Sequence, residues 1–423
     1  MIGAGAAGLV SARWLDAAGA TVRVFEGTGA LGGIWRPDTG LAYHSLRTNT
    51  SKQKTAFSDL PFPDDAPDFP DRTVVLAYLE RYADHTGVRR LIEFGHRVTA
   101  VTPDGARWRV DGEPFDAVVV ASGLFGEPRH PPLPGRERFG GPIVHSAEYR
   151  DPEQFRDRAV VVAGAGSSGA DIACDLVGVA RSVVLATRSE IVFAPRYRGG
   201  RPYDHRATRA QRLLPRWLRR RLTRRVIADE YRRRGLRLAR LSPKVTPGTG
   251  VLAELAAGRL ALRPALSALD EHGAILADAS RVPADAVVLA TGYAPAFPFL
   301  PPGLPPTRDG ALALYRLVFP PGVPGLAFVG LTRVQGAVFP VAELQARWVA
   351  AVLTGRASLP PPDAMWREID ARLAAARAAG DDQMRVELLP YLDDIAGRIG
   401  ARPRLWRRPS LLFSPVNARD YRT

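Results

Sequence analysis

The sequence is poor in several features whose scarcity has consequences. Cys174 is the single cysteine among 423 residues. An internal disulfide, a cysteine-based zinc site and a dithiol relay are therefore excluded. No apolar run approaches the ~18 residues that a membrane-spanning helix needs. The longest, at residues 117–125 and 159–166, are strand-sized. The opening MIGAGAAGL has neither the basic n-region nor the long apolar h-region of a secretory signal. A reducing, cytoplasmic setting is the expectation. Lysine is nearly missing as well, with only Lys52, Lys54 and Lys244 among 58 basic residues. Together with the abundant alanine, glycine and proline, that bias points to a GC-rich genome rather than to guanidinium chemistry.

What is present is the composition of a folded protein, 46% hydrophobic and 24% charged. The length suggests two or three domains' worth of core. The formal net charge of +15 suggests a nucleic-acid partner until it is mapped. Residues 196–240 hold seventeen arginines against three acids, a local +14, and the other residues together carry +1. The charge belongs to one segment.

Four short apolar runs end in glycine: Met1-Ile2 before Gly3, AVVVASG at 117–123, AVVVAGAGSSG at 159–169 and AVVLATGY at 286–293. Such β-branched runs read as buried parallel strands. Helical patterns lie between them, at 11–19, 76–87 and 170–178. The alternation implies an α/β architecture with parallel sheets. No tandem repeat is visible. Pro-rich stretches at 300–307 and 359–363 read as loops, and the last sixty residues open on a helix.

In Gly3-Ala4-Gly5-Ala6-Ala7-Gly8 the first glycine permits the turn after the strand. The second lets a pyrophosphate approach, and the third lets the helix pack closely. The helix N-terminus supplies free N–H donors for phosphate. A strand-like VRVFE follows and places Glu26 where it can accept from a ribose diol, which indicates FAD or NAD. One defect stands out, because the strand before Gly3 is only two residues where about five are usual. That favours a true start further upstream, and a protein beginning at Met1 is expected to hold flavin poorly.

The second fingerprint, Gly164-Ala-Gly166-Ser-Ser168-Gly169, follows VVVA and precedes a helix. Its next strand ends in Thr187, Arg188 and Ser189, without an acid. An arginine there favours a 2′-phosphate, hence NADPH; the alternative is one more surface arginine. The fold expected is two Rossmann-like dinucleotide-binding domains of parallel sheets flanked by helices. Residues 1–150 form the first part of the FAD domain, 151–290 the NADPH domain with a basic, Arg-rich helical insertion at about 196–245, and 291–423 the second FAD part with C-terminal helices. Two such sites imply electron transfer from nicotinamide to flavin. Disulfide reductases share that plan but pass electrons to a cysteine pair. Lacking one, this chain is left with oxygen as the acceptor.

Between the fingerprints lies Phe139-x-Gly141-x-x-x-His145-x-x-x-Tyr149. It resembles the identifying motif of the flavin-containing monooxygenases. Related Baeyer–Villiger enzymes typically carry tryptophan at the last position, so Tyr149 tilts the resemblance toward the former. LGGIW at 31–35, the threonine-asparagine loop and acidic, proline-rich stretch at 45–70, ATGY at 290–293 and blocks at 334–348 and 389–403 are similar to family segments, in order. The resemblance implies that NADPH reduces FAD and that the reduced flavin reacts with oxygen. A C4a-hydroperoxide then oxygenates a soft nitrogen or sulfur nucleophile. It implies FAD contacts from Gly3 to Ala7, Glu26, Gly33, Ile34 and Trp35. Thr48 and Thr50 flank Asn49, the catalytic candidate suited to bonding flavin and nicotinamide. Ser168, Gly169, Ala170 and Asp171 with Arg188 line the NADP site, and Gln335 faces the flavin region. His145 reads either as a general acid or, by the resemblance, as part of a linking motif. Cys174 reads as a small core residue. No metal is expected.

The arginine segment repeats Leu214, Leu218, Leu222 and Val226 at helical spacing beside Trp217, the pattern of a basic amphipathic helix. Its readings are a covering helix with a solvated arginine face, peripheral membrane contact or, least favoured, nucleic acid. Small-molecule substrate, O2 and a homodimer complete the partner expectations. Baeyer–Villiger oxygenation and a non-enzymatic flavoprotein are the alternatives to nitrogen or sulfur oxygenation.

Overall fold

The computed structural model describes residues 1–188, 191–238 and 245–422. The chain divides into two compact units. One comprises Met1–Gly33, Thr50–Gly126 and Pro295–Thr423; the other comprises Ile34–Asn49 and Glu127–Ala294. The breaks fall at 33/34, 49/50, 126/127 and 294/295, where the sequence suggested 150/151 and 290/291. The reason is strand pairing. Ile143–His145 forms its ladder with Ala286–Leu289 and so belongs with the second unit.

In the first unit the parallel order is Ile92–Phe94, Val24–Glu26, Ile2, Val118–Val120, Leu326–Phe328. Ile2 alone bridges Phe25 on one side and Val120 on the other. Four backbone bonds fasten this short centre: Ile2 N to Val119 O at 2.9 Å, Gly3 N to Phe25 O, Phe25 N to Met1 O and Ala121 N to Ile2 O, each of the last three at 2.8 Å. In the second unit the order is Leu260–Pro264, Ser182–Thr187, Ala159–Ala163, Ala286–Leu289, Ile143–His145, again all parallel. Each central strand is buried along its whole length, as expected for a sheet covered on both faces.

The two sheets share one plan that the sequence hides. Each follows its outer strand with a three-stranded antiparallel meander, at 101–115 in the first unit and 266–283 in the second. Each then returns to the strand beside the glycine loop. They differ in where the last strand comes from: Leu326–Phe328 arrives late in the chain, whereas Ile143–His145 arrives before its glycine loop.

Helix Ala6–Ala17 buries Leu9, Val10, Ala12 and Leu15 and packs against Val338–Leu353. Helix Arg72–His85 starts at Asp71, whose carboxylate accepts from the N–H groups of Thr73 and Val74. Helix Ser167–Leu176 buries Ile172, Ala173 and Leu176 on the second sheet. Arg216–Arg233 is helical, but its core-facing residues are Ile227 and Tyr231. The expectation that the 214/218/222/226 stripe covers the core is corrected. Leu222 is exposed, as is the neighbouring Trp217, and Leu214, which precedes the helix, is half-buried with Leu218 and Val226.

Candidate functional site

The first glycine loop is shaped by close approaches that only glycine permits. Gly3 has φ +99°, and a Cβ there would come 2.8 Å from the Ala121 carbonyl oxygen. A Cβ at Gly8 would fall on the Gly3 carbonyl oxygen. Gly5 ends the turn in extended geometry, and no side chain caps the helix that follows. The N–H groups of Ala6, Ala7 and Gly8 therefore lack intrahelical acceptors and face outward as anion donors. The buried Glu26 carboxylate organises the loop. Its Oε2 accepts from Ala4 N at 2.8 Å, and its Oε1 accepts from Thr28 N at 2.9 Å and Thr28 Oγ1 at 2.7 Å. Gly32 N donates to Ala4 O at 3.0 Å, and Gly33 runs 3.6 Å from where a Gly5 Cβ would stand. Gly32 and Gly33 are thereby held against the glycine loop.

A further element completes this site, and sequence reasoning missed it. After Leu326–Phe328 the chain passes Gly330, where a Cβ would sit 3.0 Å from the Ala7 Cβ. The Thr332 hydroxyl close by in sequence is buried without a hydrogen-bond partner. Gly330 N donates to Gln345 Oε1 at 2.9 Å, Gln345 Nε2 donates to the Tyr391 hydroxyl at 2.7 Å, and that hydroxyl donates to Arg316 O at 2.6 Å. The available signal was VGLT at the carboxyl end of a buried strand, where ligands of open α/β sheets bind. Gln335, in the following turn, is exposed, and Thr50 pairs its hydroxyl with Thr55 at 2.9 Å.

The second loop repeats the geometry. Gly164 has φ +111°, and a Cβ there would fall on the Ala290 carbonyl oxygen; one at Gly169 would fall on the Gly164 carbonyl oxygen. Gly166 precedes a helix with no side-chain cap, so Ser167, Ser168 and Gly169 present their N–H groups. Gly164 N donates to Ala186 O at 2.8 Å, just as Gly3 N donates to Phe25 O. That register makes Thr187 the counterpart of Glu26 and sets the exposed Arg188 one residue beyond. Ser189 lies outside the described residues. Ala170 is buried beneath the loop.

Asp171 serves the protein first. Its carboxylate accepts from the Tyr43 hydroxyl at 3.2 Å and pairs with Arg196 at 3.5 Å. Burial raises its pKa, with Arg196 and the Tyr43 bond opposing. Tyr43 thereby anchors the segment carrying Ile34, Trp35, Thr48 and Asn49. His44 N donates to Arg150 O at 2.9 Å, and Arg150 Nη1 donates to Gly40 O at 3.0 Å. Thr48 is buried with an unpartnered hydroxyl, while Asn49 beside it is exposed.

The motif at 139–149 works within the second unit. His145 is fully buried; Ala147 N donates to its Nδ1 at 3.1 Å, which leaves Nε2–H to donate to Gly292 O at 3.2 Å. Burial, then His130, lowers its pKa. This is a neutral imidazole clamping the ATGY turn, so the general-acid reading is set aside. A Cβ at Gly141 would fall on the Asp285 carbonyl oxygen, and the buried Tyr149 donates to Asp175 at 2.7 Å. Burial pushes the Cys174 thiol up to about 12, which suits a core residue.

Both loops thus have uncapped helix termini and glycine-only approaches, and each unit holds a buried, unpartnered threonine hydroxyl. The residues present fit two dinucleotides, which defines a two-dinucleotide flavoprotein. The comparisons are specific about which. The chain belongs to the family described as flavin-binding monooxygenase-like, whose model matches residues 1–419, and it is a flavin-dependent monooxygenase. It is 32% identical to flavin-containing monooxygenase 1 of Rattus norvegicus, over 98% of this chain and 85% of that protein. It is 31% identical to dimethylaniline monooxygenase [N-oxide-forming] 4 of Oryctolagus cuniculus, over 96% and 80%. Among solved structures, S-allyl-L-cysteine S-oxygenase from Allium sativum matches with a TM-score of 0.73 and 31% identity, covering 96% of this chain and 90% of that one. Among the described residues, no group of histidine, cysteine and carboxylate side chains could hold a metal, and no helix is long and apolar enough to cross a membrane.

Proposed function

We propose that this monooxygenase uses NADPH and O2 to oxygenate a soft nitrogen or sulfur nucleophile in a small molecule. The observation that carries the reading is the contrast at matched positions: Glu26 in one loop, Thr187 and Arg188 in the other. The carboxylate suits the ribose diol of FAD; the hydroxyl and guanidinium suit the 2′-phosphate of NADPH. When bound, FAD supplies the redox chemistry and the activation of oxygen. The protein binds and orients. Ala6, Ala7 and Gly8 donate N–H groups to the FAD pyrophosphate, and Glu26 accepts from its ribose. Ile34 and Trp35 cover it, and Thr48, Thr50, Asn49, Gln335 and Thr332 offer hydrogen bonds. Ser168 and Gly169 donate to the second pyrophosphate, with Arg188 on the 2′-phosphate. The identity to an S-oxygenase and to N-oxide-forming relatives supports nitrogen or sulfur as the acceptor, and Tyr149 supports that choice over ketone oxygenation.

The test is anaerobic NADPH addition followed by air and substrate. Bleaching by NADPH in preference to NADH, then sulfoxide from a thioether or N-oxide from a tertiary amine, is the expected result. Lactone from a cyclic ketone without sulfoxide would establish the Baeyer–Villiger reading instead. An unbleached flavin would leave only a binding protein.

A further inference from the structure

Among the described residues, five of the nine exposed large apolar side chains fall in two short, acid-free, arginine-rich segments, one in each compact unit. Residues 205–228 hold nine arginines and no acid. Within them Leu213 is 76% exposed, Trp217 65% and Leu222 44%. Residues 401–419 hold five arginines and no acid, and there Trp406 is 74% exposed and Phe413 75%. Arg212, Arg220, Arg221, Arg224 and Arg225 are exposed and form no ion pair among the described residues; the same holds for Arg404, Arg407 and Arg408. Arg407 instead lies 4.6 Å over the Trp406 ring. Elsewhere the molecule pairs its arginines readily, as in Arg23 with Glu93 and Arg316 with Glu368.

We propose that each of these segments binds anionic phospholipid surfaces in its own right, which makes the enzyme a peripheral, electrostatically recruited protein. The occupant follows from charge and polarity together. A second copy of the chain would bring like charge to each patch. Nucleic acid would satisfy the guanidinium groups but offers no hydrocarbon for Leu213, Leu222 and Phe413. A bilayer interface supplies both, with phosphate for arginine and the acyl boundary for leucine, phenylalanine and tryptophan. In the helix Arg216–Arg233 Trp217 and Leu222 are exposed and Leu218 and Val226 are half-buried, while Ile227 is buried. The exposed Leu213, Trp217 and Leu222, unexplained by the core, are explained by the interface. A lipid surface would also hold apolar amines and thioethers, so recruitment would raise the local concentration of such substrates.

The test uses the whole flavin-loaded protein and sedimentation with phosphatidylcholine vesicles, with and without phosphatidylglycerol. Binding only to the anionic vesicles, reversed by high salt, is expected, together with a blue shift of tryptophan emission. Replacing Arg220, Arg221 and Arg224 by glutamine should lower the partition coefficient about 100-fold, from roughly fivefold per surface arginine. Trp406→Ala with Phe413→Ala, and Leu213→Ala with Trp217→Ala, should each weaken binding and remove part of the blue shift. Because these side chains are exposed, NADPH oxidation without vesicles should be unchanged, which shows that the variants fold. Equal binding to neutral vesicles, no binding at low salt, or salt-sensitive binding to single-stranded DNA without vesicle binding would each overturn the proposal. So would a dimer lost in the aromatic variants while vesicles are ignored.

Discussion

The two glycine loops are built alike and differ in two places: the strand beneath the loop and the residue that ends the next strand. In both, the first glycine abuts the neighbouring strand's end and the third lies on the first glycine's carbonyl. In both, the loop's first N–H bonds the second strand. The first difference is the strand beneath the loop: one bridging residue, Ile2, against five in Ala159–Ala163. The second is the residue ending the next strand, Glu26 against Thr187 with Arg188 beyond. On the proposed reading the loop geometry serves a pyrophosphate in both units, and discrimination between dinucleotides falls to the adjacent strand.

The largest effects come from breaking the common loop geometry in a single unit at a time. Gly8→Ala and Gly169→Ala each place a methyl on a carbonyl oxygen inside the backbone, a clash worth more than about 4 kcal/mol. The expected outcomes are opposite. Gly8→Ala yields protein without flavin; Gly169→Ala keeps its yellow colour and loses NADPH-driven bleaching. Absorbance and anaerobic titration distinguish them, and loss of flavin in both would make the loops interdependent.

The units also differ in how they treat buried carboxyls. Asp171 has Arg196 and Tyr43 beside it. Glu343, 2% exposed, receives only the N–H and hydroxyl of Ser58 on its two oxygens, and burial raises its pKa to about 7. Both donors favour the charged form, but desolvation outweighs them. The folded state then holds this proton to higher pH than the unfolded chain, whose carboxyl titrates near 4.5. Stability contributed by Glu343 is present below that value and is lost as pH rises toward 7. Glu343→Gln should flatten that decline in thermal melts by about 2–3 kcal/mol over the window; an unchanged slope would assign it elsewhere.

Next come the discriminating residues. Glutamine at 26 keeps one acceptor oxygen but turns an amide toward backbone N–H donors of Ala4 or Thr28. Leaving such a donor unpaired costs about 1–3 kcal/mol, so Glu26→Gln should raise the flavin dissociation constant tenfold to a hundredfold. Arg188→Ala should raise the KM for NADPH about tenfold and leave that for NADH unchanged, and Thr187→Glu added to it should turn the preference toward NADH. Equal losses with both nucleotides would sink the strand-end assignment.

Much of this was legible because local chemistry dictates it. Glycines at fixed offsets after β-branched runs admit few conformations, so both loops and their helices could be read directly. The charge segregation was legible for the same reason. The shared sheet plan was not, because meander and outer strand are set by pairings across long stretches of chain. Ile143–His145 reads as part of the motif and gives no sign that it pairs with residues 286–289. Thr332 escaped because one buried hydroxyl has no pattern, and its importance lies in the missing partner. The helix at 216–233 misled for a related reason. A leucine stripe says that some face is apolar, and only packing decides which face meets the core.

The smallest expected effect falls on Asn49, and it separates binding from use of the cofactors. The segment that ends there is held by Tyr43 on Asp171 and by Arg150 on Gly40, none of which involves the Asn49 side chain. Exposed as it is, its truncation should leave melting temperature and flavin content within about 0.5 kcal/mol of the parent, as surface changes do. Asn49→Ser should nevertheless raise hydrogen peroxide released per NADPH consumed, because a shorter side chain cannot span two cofactor groups. Coupling measured as product per NADPH should fall severalfold, roughly the worth of one lost hydrogen bond of about 1 kcal/mol. Unchanged coupling would remove Asn49 from the reacting centre. Thr48, buried beside it with an unpartnered hydroxyl, would then be the residue of that segment to replace with valine.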